Sequence, residues 1–354
     1  MAERIHNLKQ TSANFQVSGI ITGTKSQKFY KSGDKWNTVE FGVKINEQKT
    51  VYCKLTGYTR DYVYYYKKSE IKGEKGTSKR VDWKDRKKSP GDGFNLIGTR
   101  ITTGKDENGK NVNEVMVEWD AVEYIHDNWT DGMSVFINGN MEFSSYESKD
   151  GTKHRKTTLV PTQIYLSSDI DFSAEGYKEN AEFDNTLVFS DIEPEEDENG
   201  KRTGRYVLSG YSVGYNNIEN VVFIIDADHS GVAKAIKKKM RSGNAIKTYG
   251  RISIVHNVEE VEVSDDWGST EVSPMENKKV AGSSKTEYIV YKVDGDTFDT
   301  ETYDEDAIAA AIRAVKNEKE AKKNFGDKPT SKVVNVSADD WDDEDNLDDE
   351  EPWD

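Results

Sequence analysis

The chain has 354 residues, of which 34% are apolar and 32% are charged. This composition predicts two or three domains with small cores and a large solvated surface. No window of 18 apolar residues occurs, and residues 1–15 lack the hydrophobic core of a secretion signal, so we expect a soluble, cytoplasmic protein without a transmembrane helix. Cys53 is the only cysteine, which excludes an internal disulfide and a thiolate cluster for zinc.

The net charge of −16 averages two regions of opposite sign. Residues 1–100 contain 21 Lys and Arg against 10 Asp and Glu, a net of +11, whereas residues 339–354 contain 11 acidic residues and no basic one. The acidic run predicts a disordered tail, which could be a mere solubilising appendage. Its two tryptophans, Trp341 and Trp353, are not needed for solubility. The charge asymmetry is typical of a chain whose basic region binds a polyanion and whose own acidic segment resembles such a polyanion.

Apolar and polar residues alternate from Phe15 onward, which predicts antiparallel strands at 14–23, 37–46 and 50–58. Residues 59–93 are basic, rich in tyrosine and short of aliphatic residues, so we interpret them as an insertion or an extended arm. Alternation resumes at 94–102 and 113–125, where we expect two further strands joined by a polar turn. Strands at 133–143 and 156–166 follow, joined by a long polar hairpin.

The second half repeats this order. Strands are predicted at 185–194, 205–215 and 219–226, then a helix at 231–241, then a strand from 244. Gly132 and Gly139 in the first half match Gly243 and Gly250 in the second, each pair with the same spacing, which indicates a duplicated module. A glycine inside a strand usually marks a bulge or a sharp bend.

Three strands, a helix or insertion, and two more strands are the order of the OB-fold, a five-stranded Greek-key barrel. Two β-sandwiches are the alternative, but they need more strands. A further strand at 285–293 and a helix at 302–326 follow, with Thr302 and Glu305 as a capping box. The apolar stripe of that helix, Ile308, Ile312 and Val315, should pack on the second barrel or on a partner subunit.

We therefore predict a mainly β chain with two OB-fold barrels in tandem. The expected domains are 1–170, with a basic, tyrosine-rich insertion at about 59–118, and 180–265. A linker with a small strand–helix region is expected at 266–330, and a disordered acidic tail at 331–354.

Residues 127–167, "DNWTDGMSVFINGNMEFSSYESKDGTKHRKTTLVPTQIYLS", resemble the fourth and fifth strands of single-stranded DNA-binding proteins of the bacterial and bacteriophage type. Residues 14–23 and 36–58 resemble the first three strands, and 183–262 are more faintly similar. The ending "DDEEPWD" resembles the acidic tail and proline–aromatic tip of such proteins. Two barrels in one chain and a final Asp354 depart from the cellular pattern and favour a phage-encoded or divergent member. The resemblance implies roles in DNA replication, recombination and repair.

Binding a single strand without reading its sequence needs cations for the phosphates and aromatic faces for the bases. Hairpins flank the binding face of an OB barrel, and here they carry both residue types. A single tyrosine is more often packing, and a lysine more often merely solvated, but the two types are interleaved. The candidate DNA-binding residues are Lys25, Lys28, Phe29, Tyr30, Lys31, Lys35, Trp36, Tyr52, Lys54, Arg60, Tyr62, Tyr64, Tyr65, Lys67, Lys68, Trp83, Tyr146, Lys153, Arg155 and Lys156.

The tail tip supplies the candidate partner-binding residues Glu351, Pro352 and Trp353, which we expect to bind replication or recombination proteins. The helix cations of the second half, Lys234, Lys237, Lys238 and Arg241, could contact phosphate or merely balance nearby carboxylates.

No catalytic or metal motif stands out, so we expect no enzymatic activity, no metal and no cofactor. The segment "GSSKT" lacks the glycine that a phosphate-binding loop places before its lysine, and the five histidines are scattered singly. The alternative function is a DNA mimic, an acidic interaction protein that inhibits a DNA-binding enzyme.

Overall fold

A computed structural model describes residues 4–71, 74–148, 152–197, 199–258 and 281–324. The strands in these ranges are β1 (Ala13–Thr22), β2 (Tyr30–Ser32), β3 (Trp36–Lys44), β4 (Thr50–Tyr58), β5 (Tyr62–Lys67), β6 (Thr77–Asp82), β7 (Asn95–Leu96), β8 (Thr99–Lys105), β9 (Asn111–Met116), β10 (Ser134–Glu147), β11 (Lys153–Leu166), β12 (Asn180–Glu196), β13 (Arg202–Val213), β14 (Ile218–Ile225), β15 (Ala245–Val258) and β16 (Ala281–Asp299). The α-helices are α1 (Glu118–Asn128), α2 (Ser230–Lys239) and α3 (Glu305–Asn324). None of these helices is long and apolar enough to cross a membrane.

The first barrel consists of β4, β3, β1, β10 and β11, joined in that order by antiparallel pairing. β11 also contacts β4, so the first and last strands of this sheet are neighbours and the barrel closes. Alternate residues such as Val17, Phe41 and Ile137 are buried inside because successive side chains of a strand point to opposite faces. The β8–β9 hairpin extends this sheet through a parallel pairing of β8 with β11.

The second barrel is a closed ring of β12, β13, β14, β16 and β15, in which β15 pairs back with β12. β14 and β16 close the ring as a parallel pair. The fold is mainly β with two OB-type barrels in tandem, as the sequence predicts. The strand expected at 285–293 is part of β16, so it closes the second barrel instead of belonging to a separate strand–helix region.

The two barrels meet at an antiparallel pairing of their first strands, β1 and β12, in which Phe15 lies opposite Phe183. The buried residues of both barrels form one contiguous hydrophobic core. Because the sheet and the core run through this junction, the domain boundaries given above stay a prediction.

Gly139 and Gly250 occupy equivalent positions in the two barrels. Gly139 pairs with Phe15, and Gly250 pairs with Phe183. The β10–β11 register shifts between Asn138 and Gly139, and the β15–β16 register shifts at Gly250. Both glycines therefore mark β-bulges, as expected for a glycine inside a strand.

The segment between β4 and β10 differs most from the sequence prediction. Residues 59–93 contain β5 and β6, which form a separate three-stranded sheet with β7. The strand expected at 113–125 ends at Met116, and α1 follows it. Ala121, Val122 and Ile125 are buried along one side of that helix, a spacing that fits a helix and not a strand.

The helix α3 begins at Glu305 instead of Thr302. Its cap is Asp304, whose Oδ1 accepts hydrogen bonds from the main-chain N–H groups of Asp306 and Ala307. The apolar side of α3 packs on the second barrel, in a cluster of buried residues that includes Val188, Val213, Ile308 and Ala311. The predicted acidic tail lies outside the described residues.

Candidate nucleic-acid interface

The β5 strand presents three tyrosines on one side. Tyr62, Tyr64 and Tyr66 share this side because side chains two residues apart on a strand point the same way, about 6.6 Å apart along it. Tyr64 is 46% exposed and Tyr66 is 40% exposed. We call these three residues the tyrosine face.

A cation lies on the tyrosine face. Arg80 on β6 is paired with Tyr64, and its guanidinium carbon is 4.5 Å from the ring centroid of Tyr62. The rings of Tyr62 and Tyr64 meet edge to face, with centroids 5.5 Å apart. A hydrogen bond with Tyr62 raises the pKa of Tyr64. Arg80 was not among the candidates, although its alternation with Ser78 and Asp82 places it on this side.

The opposite side of β5 covers a small core. Val63 and Tyr65 are each 5% exposed and pack with Val117. The Tyr65 hydroxyl donates a hydrogen bond of 2.8 Å to the carbonyl of Arg86. Trp83 packs on this core as well, under the Arg86 guanidinium at 4.5 Å. Tyr65 thus stabilises the fold, and we leave it out of the interface. Trp83 packs on the same core and also lines a crevice at the surface.

The insertion is attached to α1 by a bidentate ion pair between Arg86 and Asp120. The Arg86 Nε and Nη2 atoms donate hydrogen bonds of 2.9 and 2.8 Å to the two carboxylate oxygens of Asp120. The Arg86 Nη1 atom also donates to the carbonyl of Trp83. A planar guanidinium matched to a carboxylate in this way fixes direction as well as distance. The tyrosine face is therefore held in one orientation relative to the first barrel.

The segment leading from β1 through β2 supplies exposed lysines at Lys25, Lys28, Lys31 and Lys35. Among the described residues, no carboxylate lies within 4.0 Å of their ammonium groups. Hydrogen bonds from Thr24 and the charge of Lys25 lower the pKa of the Asp131 carboxyl, so Lys25 interacts with a carboxylate at longer range. Lys28, Lys31 and Lys35 face solvent without a carboxylate partner in the described part of the chain.

The aromatic residues of the same segment are turned inward. Phe29 is 5% exposed, so a base cannot reach it, and we leave it out of the interface. The Tyr30 hydroxyl donates a hydrogen bond of 2.9 Å to Glu123 on α1, and its ring centroid is 4.0 Å from that of His126. Burial raises the pKa of Tyr30. Trp36 is half-buried close to Gly33.

The lysine-bearing segment and the tyrosine face are adjacent. Trp36 pairs with Tyr58, and the Thr59 N–H donates a hydrogen bond of 2.9 Å to the carbonyl of Lys35. β5 begins at Tyr62, four residues beyond Tyr58, which limits the separation to about 14 Å. Lys35 and the exposed Arg60 thus lie close to the start of the tyrosine face.

A crevice of about 80 Å³ opens beside Tyr64. Its walls are formed by Tyr64, Val63, Trp83 and other apolar residues, including the exposed Ile97. Arg60 stands at the crevice with its Nη2 atom 3.9 Å from the Glu118 carboxylate, a distance that allows only a weak ion pair. The crevice offers an apolar contact next to a cation.

The remaining candidates lie apart from this surface or at its margin. Tyr52 is 64% exposed on β4 opposite Gly42, and Lys54 pairs with Glu40 in the same ladder. At the end of β5, Lys67 is half-buried and Lys68 is exposed.

The long β10–β11 hairpin contacts the second barrel. The Ser145 hydroxyl donates a hydrogen bond of 2.7 Å to the Glu219 carboxylate, and Phe143 meets Phe223 edge to face. Tyr146 stacks on His154 across this hairpin, with centroids 5.0 Å apart. Further candidates on the hairpin are the exposed Arg155, the half-buried Lys156 and Lys153.

The side chain of Lys153 lies outside the described part of the chain, as do Glu351, Pro352 and Trp353.

The fold and this surface define a mainly β protein with two OB-type barrels and a cationic, tyrosine-bearing insertion on the first. The YorF family model matches residues 68–328, most of the chain, so the chain belongs to the YorF family. No curated protein matches it.

Two crystal structures of the single-stranded DNA binding protein from Thermus aquaticus align with the chain. A deletion mutant is 9% identical and covers 80% of this chain and 94% of its own length. The wild type is 11% identical and covers 81% of this chain and 93% of its own length. Each alignment has a TM-score of 0.38, which is too low to establish a common fold or function.

Proposed function

We propose that this chain binds single-stranded DNA without reading its sequence and has no enzymatic activity. The observation that carries the proposal is the exposed tyrosine face with Arg80 on it, near the exposed Lys35 and Arg60. Exposed aromatic rings on a sheet offer stacking platforms to unpaired bases, and every base has a face that can stack. The choice of DNA over RNA rests on the family resemblance of the barrel strands.

The two parts of the surface have different tasks. Tyr62, Tyr64 and Tyr66 stack with successive bases, and each such stack contributes roughly 1–3 kcal/mol. Lys28, Lys31 and their neighbours contact phosphates, and each contact releases a counterion, so this part of the affinity falls as salt rises. The crevice beside Tyr64 takes the edge of one base.

Titration of tryptophan fluorescence with oligo(dT) tests the proposal. We expect quenching that salt reverses. The Y64A/Y66A variant should bind at least tenfold more weakly at the same salt, because two stacks of roughly 1–3 kcal/mol are lost. Both side chains are exposed, so the variant should melt close to the wild-type temperature.

Tyr215 provides the control, since it is a tyrosine of the second barrel with the same 40% exposure as Tyr66. Y215A should bind oligo(dT) as the wild type does. Equal losses in Y64A/Y66A and Y215A would contradict a specific tyrosine face. Parallel titrations with oligo(U) decide between DNA and RNA.

The proposed role within the cell is an accessory function in DNA replication, recombination and repair, which the family resemblance suggests and the acidic C-terminal segment makes testable. We propose that residues 338–354 compete with DNA for the basic surface and that Trp353, Pro352 and Glu351 bind partner proteins. Deletion of this segment should tighten DNA binding most at low salt, where electrostatic competition is strongest. Equal affinity with and without the segment across a salt series would contradict the competition.

The second candidate function is a DNA mimic that blocks a DNA-binding enzyme. The net charge of −16 and the acidic residues 339–354 favour it. A mimic repels DNA, so the absence of any oligo(dT) quenching at low salt would support this alternative.

A further inference from the structure

The helix α2 of the second barrel carries an exposed basic side. Ala233, Ile236 and Met240 are buried against the barrel, while Lys234 and Lys238 project to solvent on the other side. Residues 230–243 include five cations, Lys234, Lys237, Lys238, Lys239 and Arg241, and no acidic residue. This segment is therefore strongly positive within an acidic chain.

Several other cations of the second barrel have carboxylate partners. Arg205 lies near Glu195, Asp226 and Glu287, and Lys247 is 3.0 Å from Asp184. In the described part of the chain, no carboxylate lies within 4.0 Å of the five α2 cations. The half-buried Arg205 and Lys247 are thus neutralised, whereas the exposed α2 cations are open to a ligand.

Not every α2 cation is equally available. Lys237 borders a groove of about 630 Å³ that is also lined by Asp191, Glu193 and Glu196, so carboxylates oppose its charge. Arg241 is fixed by a hydrogen bond of 2.8 Å from Nη1 to the Met240 carbonyl, which leaves its other N–H groups for a ligand. We call Lys234, Lys238 and Arg241 the α2 basic face.

Helix stability accounts for Lys238 but not for the other two residues of this face. Cations in the last turn of a helix gain about 0.3–1 kcal/mol from the helix dipole, an effect that fades within one turn. That explains Lys237, Lys238 and Lys239. Lys234 lies in the first half of α2, and Arg241 lies beyond its end, so the dipole does not explain either of them.

The corresponding helix of the first barrel shows the opposite arrangement. α1 and α2 each lie between the third and fourth strands of their barrels. α1 carries Asp120 and Glu123, and the chain itself covers these carboxylates with Arg86 and Tyr30. The first barrel therefore displays its cations on segments attached to an acidic helix. In the second barrel only the short described segment 226–229 separates β14 from α2, and this helix displays the cations directly.

We propose that the α2 basic face is a second contact for the phosphates of a bound single strand. This inference rests on the proposed function, because it requires a strand that first binds at the tyrosine face. Within the described residues, α2 carries no aromatic side chain, so the contact is electrostatic and independent of base identity. A strand long enough to occupy both barrels is required.

The test uses the full-length chain, the K234Q/K238Q variant and oligo(dT) of two lengths. An OB barrel occupies roughly 4–16 nucleotides, so one oligonucleotide of about 10 and one of about 40 separate one-barrel from two-barrel binding. Each lost phosphate contact should lower the slope of log K against log salt by about 0.7. We expect a loss of about 1.4 in slope on the long strand and no change on the short one.

The control is K105Q/K110Q, which removes the same charge from exposed lysines in and beside the β8–β9 turn. It should leave the slope on the long strand unchanged, and thermal melting should show that both variants are folded. An unchanged slope for K234Q/K238Q, an equal loss in the control or an equal loss on the short strand would overturn the proposal. Tighter binding by K234Q/K238Q would also overturn it, and would indicate that the acidic C-terminal segment occupies the face.

If the proposed function itself is wrong, the result differs, because the wild-type chain would then bind neither the short nor the long oligo(dT).

Discussion

Gly139 and Gly250 are required by the close approach of an aromatic ring and a carbonyl. A Cβ atom at Gly139 would lie 2.1 Å from the Val160 carbonyl oxygen and 2.6 Å from Cε1 of Phe15. At Gly250 it would lie 2.3 Å from Cζ of Phe183. Both glycines therefore have a packing role at the junction of the two barrels, where Phe15 and Phe183 meet.

The G250A substitution should lower the free energy of unfolding by about 1–3 kcal/mol, the usual cost of forcing a methyl group into a filled core. Urea unfolding followed by circular dichroism measures this loss. G295A is the control, because a Cβ at Gly295 meets nothing within 4 Å. Equal stability of G250A and G295A would contradict the packing role.

At the residue scale, strand alternation decides which aromatic side chains are exposed. In "YVYYY", Tyr65 shares its side with Val63, so its burial could have been predicted from the sequence. The exposure of Tyr64 and Tyr66 follows from the same alternation. Phe29 could not be assigned in this way, because it precedes a strand of three residues and is buried only through contacts with distant elements.

At the element scale, the sequence predicted the strands of both barrels, α2 and most of α3, since each has a clear apolar period. The sheet of the insertion was missed because its core is completed by residues from outside it. Val117 and Trp119, at the start of α1, pack against Val63 and Tyr65. A segment whose apolar partners lie fifty residues away shows few apolar residues of its own.

The insertion should loosen when its attachment to α1 is removed. R86Q breaks the paired hydrogen bonds to Asp120, and hydrogen bonds to charged groups are worth about 1.5–3 kcal/mol each in their net effect. We expect chymotrypsin to cleave after the β5 tyrosines severalfold faster in R86Q than in the wild type, because local opening exposes them.

The matched control for R86Q is K88Q, which breaks the exposed ion pair of Lys88 with Asp85. Exposed pairs contribute about 0–1 kcal/mol, so K88Q should be cleaved at the wild-type rate. Wild-type cleavage of R86Q would show that the Arg86–Asp120 pair does not hold the insertion in place.

At the scale of the whole molecule, the sequence predicted two barrels but not how they join. The pairing of β1 with β12 connects residues about 170 positions apart, and no local pattern specifies such a partner. Thr11 bonds to the Val213 carbonyl, and the Tyr303 hydroxyl donates to the carbonyl of Lys9, so the segment before β1 also lies on the second barrel. Each barrel is thus stabilised in part by the other.

This arrangement predicts that the two barrels unfold together. The tryptophans of the described residues, Trp36, Trp83, Trp119 and Trp129, all belong to the first barrel and its insertion. Trp267, Trp341 and Trp353 lie outside the described residues, so the test uses a W267F/W341F/W353F background, in which tryptophan fluorescence reports on the first barrel and circular dichroism reports on both. We expect the two signals to give the same urea midpoint, the usual sign of a single cooperative transition.

The F143A substitution sharpens this test, because Phe143 of the first barrel contacts Phe223 of the second. Loss of this half-buried ring should cost about 1–3 kcal/mol, below the usual range for a fully buried phenylalanine. Both midpoints should fall together, while F298A, which removes an exposed ring, should leave them unchanged. Two separate midpoints in the W267F/W341F/W353F background, or a shift of only one signal in F143A, would mean that the barrels unfold independently. The shared strand pair would then be too weak to couple them.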